Sequence, residues 1–152
     1  LRNNPGGNVD TVTDMLDLML PEGTTLSIKD KQGKESVYES DDEHQFTNPL
    51  VVLVNENSAS ASEIFSGAIQ TFGTGEVVGT TTYGKGVVQQ IFDLKDGTSV
   101  KLTIAEYLIA GQFGINGKGV TPDVEVQYEK DAQNPDHDNQ LEKALEEVKN
   151  KL

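Results

Sequence analysis

The chain has 152 residues, 35% hydrophobic and 24% charged, a composition that suits one globular domain with a single hydrophobic core. Its 25 acidic and 12 basic residues give a net charge of −13, which argues against nucleic acid or an anionic membrane surface as the main partner. The lack of cysteine excludes disulfides, thiol catalysis and cysteine-bound metals. No apolar run has the length of a membrane span, and no signal peptide is visible.

The first residues, Leu1-Arg2-Asn3-Asn4-Pro5-Gly6-Gly7, read as a strand end running into a glycine-rich turn, without an initiator methionine. We therefore expect a fragment whose N-terminal part is missing, together with any export signal or regulatory domain. Apolar residues at three- and four-residue spacing predict a helix over Asn8–Leu20. Asn8 or Asp10 can cap its start, and Pro21 stops it.

The central part of the chain predicts an α/β core. A continuous apolar run, Leu50–Val54, is typical of a buried strand, and a helix over Ser60–Phe72 follows it. Lys95-Asp96-Gly97 predicts a hairpin turn. The other predicted elements are strands 24–28 and 35–38, loop 40–48, strand 76–79, loop 80–86, hairpin strands 87–94 and 98–109, connection 110–118, extended segment 119–126, linker 131–139 and amphipathic helix 139–152.

Histidine and metal chemistry find little support in the sequence. The two histidines, His44 and His137, lie in charged stretches that we expect to be exposed, which disfavours a Ser-His-Asp triad. Asp136, His137 and Asp138 match no closed metal site and are interpreted as a solvated linker. Gly84-Lys85-Gly86 is too short to indicate a phosphate-binding loop.

Ser60 lies where the predicted buried strand meets the helix, so its hydroxyl would face the crevice at the strand's carboxyl end. Main-chain N–H groups and the positive helix end would lie beside it, as an oxyanion requires. The small neighbours Ala59 and Ala61 leave room for a substrate main chain. The structural alternative is a capping box formed by Ser60 and Glu63, and both interpretations stay open at this point. Two nearby serines, Ser58 and Ser62, are competing candidates.

A serine nucleophile needs a base, and without cysteine or a usable histidine the candidates are a lysine or a carboxylate. Lys85 lies between two glycines, so it can approach another element closely, and burial there would favour the neutral amine. On a regular strand Lys85, Val87 and Gln89 project to one face, which would let Gln89 orient the amine. The alternative is an ordinary solvated lysine, and Lys118, also flanked by glycines, is the obvious decoy.

Four segments resemble the C-terminal (tail-specific) processing peptidases, in family order. Asn55–Glu63 resembles the nucleophile segment, and Thr82–Gly86 followed by Gln89 resembles the base segment. Leu1–Gly7 is similar to the glycine-rich segment, and Gly119–Asp123 to the element that closes the core. The resemblance covers residues 1 to about 126, and the combination of motifs is highly specific.

The resemblance implies roles for six residues. These are Ser60 as nucleophile, Lys85 as general base, Gln89 as the residue that positions the lysine, and an oxyanion hole formed by the N–H groups of Ala61 and of Gly7 or its neighbour Gly6. It implies no metal and no organic cofactor. The expected substrates are protein or peptide chains with apolar C-termini.

The resemblance also implies a ClpP/crotonase-like ββα core, incomplete at the N-terminus, within an α/β fold. Residues 1–130 would form the catalytic core, and residues 131–152 a polar linker with a C-terminal amphipathic helix. Family members carry a PDZ domain and further core strands before the glycine-rich segment, so the missing portion of the same protein is an expected partner. A homo-oligomer is left open, and an extracytoplasmic location, by export or anchoring, is expected for the whole protein.

Three rival interpretations remain. A non-catalytic binding or scaffolding relative of the same core is disfavoured because Ser60, Lys85 and Gln89 occur together. A truncated, inactive fragment of a peptidase is the second rival. An acyl-CoA-handling enzyme of the crotonase type is the third, and it would need paired carboxylates or an acyl-binding pocket, for which the sequence has no signature.

Overall fold

The computed structural model describes residues 1–41, 43 and 45–152, so His44 lies outside the described residues. The chain forms three helices and eight strands within this part. In order they are α1 Val9–Asp17, β1 Gly23–Asp30, β2 Glu35–Ser40, β3 Val51–Val54, α2 Ala61–Phe72, β4 Glu76–Gly79, β5 Val87–Asp93, β6 Ser99–Ile109, β7 Phe113–Gly114, β8 Val124–Glu125 and α3 Asn139–Lys149. None of these helices is both long and apolar enough to cross a bilayer.

The strands form two sheets, which confirms the predicted α/β class. One sheet is antiparallel in the order β2-β1-β6-β5, with β7 added to β6. The other is parallel in the order β3-β4-β8. Because β3 and β4 are parallel neighbours, their carboxyl ends lie at one edge of the sheet. The segments that follow them, 55–60 and 80–85, therefore leave the sheet side by side.

Helix α2 packs its apolar face into the core between these strands. Ile64, Ala68 and Ile69 of α2 are fully buried, and they share one apolar cluster with Val54 and Ile109 of the two sheets. Each fully buried aliphatic side chain of this size contributes roughly 1.5–3 kcal/mol relative to exposure. This packing fixes the start of α2, and with it the chain around residue 60.

The structure differs in detail from the predicted elements at α1 and β7. Helix α1 ends at Asp17, three residues before the predicted Leu20, although the Leu20 N–H still reaches the Leu16 carbonyl at 2.9 Å. Asn8 caps the helix by accepting the Thr11 N–H at 3.1 Å, as predicted. Strand β7 was not predicted, because two residues are too short to show any periodicity.

The predicted apolar face of α3 is buried only in part. Ala144 is 6% exposed, but Leu141 and Leu145 are 43% and 48% exposed, and the polar Gln140 is only 1% exposed. The helix is rotated by polar contacts: the Gln140 side chain donates to the Val126 carbonyl at 2.6 Å, and Asp138 forms an ion pair with Arg2. Long-range hydrogen bonds therefore outweigh the amphipathic pattern that the sequence of α3 suggests.

Candidate active site

Ser60 occupies a strained turn between β3 and α2. Its dihedral angles are φ 57° and ψ −118°, and it is one of three non-glycine residues with positive φ among those described. Such a conformation costs on the order of 1–3 kcal/mol and persists only where the surroundings hold it. A strained strand-to-helix turn is also the device by which hydrolases expose a nucleophilic serine.

The capping interpretation and the nucleophile interpretation of Ser60 are compatible. Glu63 Oε2 accepts the Ser60 N–H at 2.9 Å, as a capping box requires. The N–H groups of Glu63 and Ile64 donate to the main-chain carbonyl of Ser60, at 2.8 and 3.0 Å. The N–H groups of Glu63 and Ile64 thus have a main-chain acceptor and do not depend on the half-buried Ser60 hydroxyl.

The glycine-rich segment lies directly against Ser60. The Ala59 N–H donates to the Asn4 carbonyl at 3.0 Å, and the Ser62 hydroxyl donates to the same carbonyl at 3.1 Å. A Cβ added to Gly6 would lie 2.7 Å from Ser60 Cβ, closer than real Cβ atoms approach a neighbour. Gly6 also has φ 106°, so only glycine fits this position.

Two unengaged N–H groups lie at this junction. The Gly6 N–H donates to Asn4 Oδ1 at 2.9 Å and is therefore occupied. Within the described residues, the N–H groups of Gly7 and Ala61 have no hydrogen-bond acceptor. Ala61 is the first residue of α2, where the helix dipole favours negative charge. The geometry therefore favours Gly7 over Gly6 as the second oxyanion donor.

An apolar cavity of about 250 Å³ opens beside these donors. Gly7 and Ala61 contribute to its wall, and its large apolar lining residues are Leu1, Val12, Met15 and Phe65. Met15 of α1 is 48% exposed and borders this cavity.

Glu63 joins the nucleophile to the segment of the candidate base. Its carboxylate is fully buried and accepts four hydrogen bonds. The donors are the Ser60 N–H at 2.9 Å, the Thr82 hydroxyl at 2.5 Å, the Gly84 N–H at 2.7 Å and the Lys85 N–H at 2.9 Å. The sequence identified Glu63 only as a capping residue. Its position as a charged residue on the apolar face of α2 was the available signal that it has buried partners.

The Lys85 main chain is fixed, but its side chain is not. The side chain is half-buried, and among the described residues Nζ makes no hydrogen bond or ion pair. No hydrogen bond joins Ser60 Oγ to Lys85 Nζ in this part of the chain. Catalytic hydrogen bonds are often long in substrate-free structures and tighten in complexes. The structure thus brings the two segments together without closing a dyad.

Tyr107 of β6 supports the base segment from the other sheet. Its hydroxyl donates to the Lys85 carbonyl, and the residue is only 2% exposed. Burial raises the pKa of Tyr107 well above its ordinary value, the nearby Glu63 carboxylate raises it further, and the Ser60 side chain lowers it. Tyr107 is therefore a neutral donor close to both Lys85 and Ser60. No sequence pattern distinguishes it from the other three of the four tyrosines.

Among the described residues, neither Gln89 nor Lys118 forms a side-chain hydrogen bond with Ser60 or Lys85. Gln89 is exposed, and its side chain donates to the Thr103 hydroxyl at 3.5 Å. A β-bulge between Val88 and Gln89 interrupts the regular alternation that would put Gln89 on the face of Lys85. Lys118 is exposed as well. Its loop contacts the base segment through the main chain, since the Gly117 N–H donates to the Gly84 carbonyl at 2.8 Å.

Comparisons with known proteins agree with this geometry. The model of peptidase family S41 matches residues 1–126. A carboxyl-terminal-processing protease of Synechocystis sp. is 41% identical over 123 residues, which are 81% of this chain and 29% of that protein. A Staphylococcus aureus protein named "Probable CtpA-like serine protease" is 40% identical over 134 residues, 86% of this chain and 27% of that protein. The chain thus spans under a third of the length of these relatives.

Solved structures show the same relationship. The photosystem II D1 C-terminal processing protease has a TM-score of 0.76 and 36% identity, over 88% of this chain and 36% of that one. A lipoprotein from Streptococcus agalactiae has a TM-score of 0.73 at 19% identity, over 99% of this chain and 53% of that one. At that identity the second match shows a shared fold alone.

Proposed function

Because the chain belongs to peptidase family S41, we propose that it carries the catalytic dyad of a serine endopeptidase, with Ser60 as nucleophile and Lys85 as general base. The protein that contains it would cleave protein chains near their C-termini. The observation that carries the proposal is the shared carboxylate. One oxygen atom, Glu63 Oε2, accepts the N–H groups of both Ser60 and Lys85 at 2.9 Å, so the two main chains cannot move apart independently.

The proposed reaction proceeds through an acyl-enzyme. Ser60 Oγ attacks the substrate carbonyl carbon while neutral Lys85 Nζ takes the hydroxyl proton. The resulting oxyanion accepts hydrogen bonds from the N–H groups of Ala61 and Gly7. The C–N bond then breaks, and Lys85 gives its proton to the leaving amine. In the second half, Lys85 takes a proton from water, the hydroxide attacks the ester, and Ser60 regains its proton as the carboxylate product leaves.

For this reaction the Lys85 side chain must turn toward Ser60. Its Nζ has no partner in the described structure that would oppose such a rotation. We assign Gln89 to positioning the amine once it has turned, which requires Gln89 to leave its 3.5 Å contact with Thr103. A hydrogen bond of that length contributes little, so breaking it costs little.

The substrate proposal rests on the apolar cavity. A side chain that precedes the scissile bond would enter the cavity of about 250 Å³ lined by Val12, Met15 and Phe65. Burying apolar surface there contributes roughly 25 cal/mol per Å². We therefore propose protein substrates with apolar residues near the C-terminus, and no nucleic acid as partner.

The whole protein is proposed to supply more than this chain. In this proposal a PDZ domain and further core strands precede residue 1, residues 1–130 form the catalytic core, and residues 131–152 form the linker with α3. The PDZ domain would capture the substrate's C-terminal residues. We also propose an extracytoplasmic location, which rests on the family resemblance. Protease accessibility of the whole protein in intact cells would test that location.

The test of the dyad is a pair of matched lysine variants. In the whole protein, Lys85→Ala should lower kcat/KM on a peptide with an apolar C-terminus by about 10²- to 10⁴-fold, the usual contribution of a general base. Lys118→Ala is the control, because Lys118 is also flanked by glycines and is exposed. The control should keep wild-type activity. Undiminished cleavage by Lys85→Ala would overturn the mechanism.

One observation favours a second function, a binding relative without catalysis. The open arrangement of Ser60 and Lys85 is what a non-catalytic member of the fold, or an inactive fragment, would also show. A fluorophosphonate, which labels only activated serines, separates the two functions. Stoichiometric labelling of Ser60 that Lys85→Ala abolishes favours the peptidase, and no labelling of the whole protein favours the binding relative.

A further inference from the structure

The C-terminal helix is tied to the glycine-rich segment by a contact that joins opposite ends of the chain. Resting on the proposed function, we propose that Arg2 with Asp138 and Gln140 is a positioning device, called here the α3 link. It holds the segment Asn3–Gly7 where the Gly7 N–H can stabilise the oxyanion. Both partners of Arg2 lie after residue 126, where the family match ends.

The α3 link has the geometry of a strong, oriented contact. The Arg2 guanidinium binds Asp138 in bidentate fashion, at 2.9 Å to Oδ1 and 2.5 Å to Oδ2, and donates to Gln140 Oε1 at 2.9 Å. The side chains of Arg2 and Asp138 are each 24% exposed, so solvent screens the pair only in part. The hydrogen bonds from Arg2 lower the pKa of Asp138 below its ordinary value. A planar guanidinium fork fixes direction as well as distance.

The α3 end of the link is itself anchored. Gln140 is 1% exposed, and its amide donates to the Val126 carbonyl at 2.6 Å while its oxygen receives Arg2. The neighbouring Asn139 donates to the Gln127 carbonyl at 2.7 Å. Asp138 caps α3 by accepting the Leu141 N–H at 2.9 Å. The link therefore connects Arg2 to a fixed point rather than to a mobile helix end.

The other end of the link leads directly to the catalytic turn. Asn3, next to Arg2, has φ 59°, and its N–H donates to Asn55 Oδ1 at 2.9 Å. Asn3 Oδ1 accepts the side-chain amides of Asn55 and Asn57, each at 3.0 Å. The Ser58 hydroxyl donates to the Leu1 carbonyl at 2.9 Å. These contacts surround Arg2 on both sides, so a displacement of Arg2 is transmitted to the chain that carries Ser60 and Gly7.

The link has a functional purpose because an oxyanion donor must be placed accurately. A donor acts at about 2.7–3.1 Å from the oxyanion, and a misplacement of about 1 Å can reduce the rate by about 10²-fold. The orientation of α3 supports this view, since α3 buries Gln140 and leaves Leu141 and Leu145 about half exposed. The helix is thus oriented for its contact with Arg2 rather than for maximal apolar burial.

The test uses the whole protein and measures kcat and KM separately. Asp138→Asn keeps the shape and removes the charge, and Arg2→Met removes the fork. We expect each to lower kcat by about 10-fold or more, with KM changed less than about 2-fold, and to slow fluorophosphonate labelling of Ser60 by a similar factor. The control is Glu142→Gln, which removes the 3.1 Å contact of another first-turn carboxylate with His137. It should leave kcat at the wild-type value.

Comparing kcat with melting temperature decides between positioning and simple loss of stability. The double variant Arg2→Asp/Asp138→Arg restores an ion pair in reverse and should recover part of the lost kcat, because the reversed pair again holds the segment Asn3–Gly7. If Asp138→Asn lowers the melting temperature but keeps the kcat of Glu142→Gln, the inference is wrong. A wild-type protein that neither cleaves peptides nor labels at Ser60 instead contradicts the proposed function. The two failures are therefore distinguishable.

Discussion

The two halves of the candidate site differ in how many of their groups are held in place by hydrogen bonds and close contacts. On the nucleophile side, Ser60 and the glycine-rich segment are fixed in a strained turn by hydrogen bonds and close contacts. On the base side, the main chain of Lys85 is held as firmly, by Glu63 and Tyr107, but Nζ has no partner among the described residues. The comparison indicates that the fold fixes the main-chain groups of both halves, and in the proposed mechanism the Lys85 side chain then closes on substrate. Preorganised donors act without reorganisation during the reaction.

The largest expected effect comes from the residue that both halves share. Glu63→Gln replaces one carboxylate oxygen by an NH2 group, which then faces N–H donors instead of accepting from them. Leaving buried donors of such a network without an acceptor costs about 1–3 kcal/mol for each donor. We expect a fall of that size in the free energy of unfolding, measured with denaturant, together with loss of cleavage.

The matched control for that variant is Glu56→Gln. Glu56 is exposed and accepts one hydrogen bond, from Thr80 at 3.1 Å. Surface changes of this kind stay within about 0.5 kcal/mol. Equal unfolding midpoints for Glu63→Gln and Glu56→Gln would show that the shared carboxylate does not hold the two halves together.

The second prediction breaks the nucleophile side alone. Gly6→Ala places a methyl group 2.7 Å from Ser60 Cβ and 2.9 Å from the Ala61 nitrogen, at a residue with φ 106°. Cleavage should fall by about 10²-fold or more, because the donors and the nucleophile are displaced together. Gly114→Ala is the comparison, since Gly114 lies on β7 and a Cβ there meets only Leu108 Cδ2, at 3.5 Å, and it should retain most of the activity. Equal activities of the two variants would contradict the close packing of Gly6 on Ser60.

The sequence predicted the local part of this site. The apolar run of β3, the spacing of α2 and its end at Gly73 are carried by neighbouring residues, and the structure places them as predicted. The glycine at position 73 is left-handed, with φ 68°, as expected for a helix C-terminus. These elements can be predicted from the sequence because the residues that determine each of them are only a few positions apart.

The parts that could not be predicted depend on distant partners. Glu63 receives donors from residues about 20 positions later, and its place on the apolar face of α2 indicates buried partners without identifying them. The rotation of α3 depends on Arg2, 136 residues before Asp138. Gln89 was expected beside Lys85 on a regular strand, and a bulge at Val88 removes that regularity. In each case a long-range contact or a local irregularity determines where the side chain lies. Neither produces a periodic pattern in the sequence from which it could be predicted.

The smallest expected effect concerns the backbone strain at Ser60. It tests whether the nucleophile half of the site is held in a strained conformation. Ser60→Gly and Ser60→Ala both remove the nucleophile and should both be inactive. Glycine adopts φ 57° and ψ −118° without strain, whereas alanine retains the cost of about 1–3 kcal/mol. The greater freedom of glycine in the unfolded chain offsets about 0.4–1 kcal/mol of that gain. We therefore expect Ser60→Gly to unfold at a higher denaturant concentration than Ser60→Ala, by about 1 kcal/mol. The reverse order would mean that the turn carrying the nucleophile is relaxed, and that both halves of the site are held without stored strain.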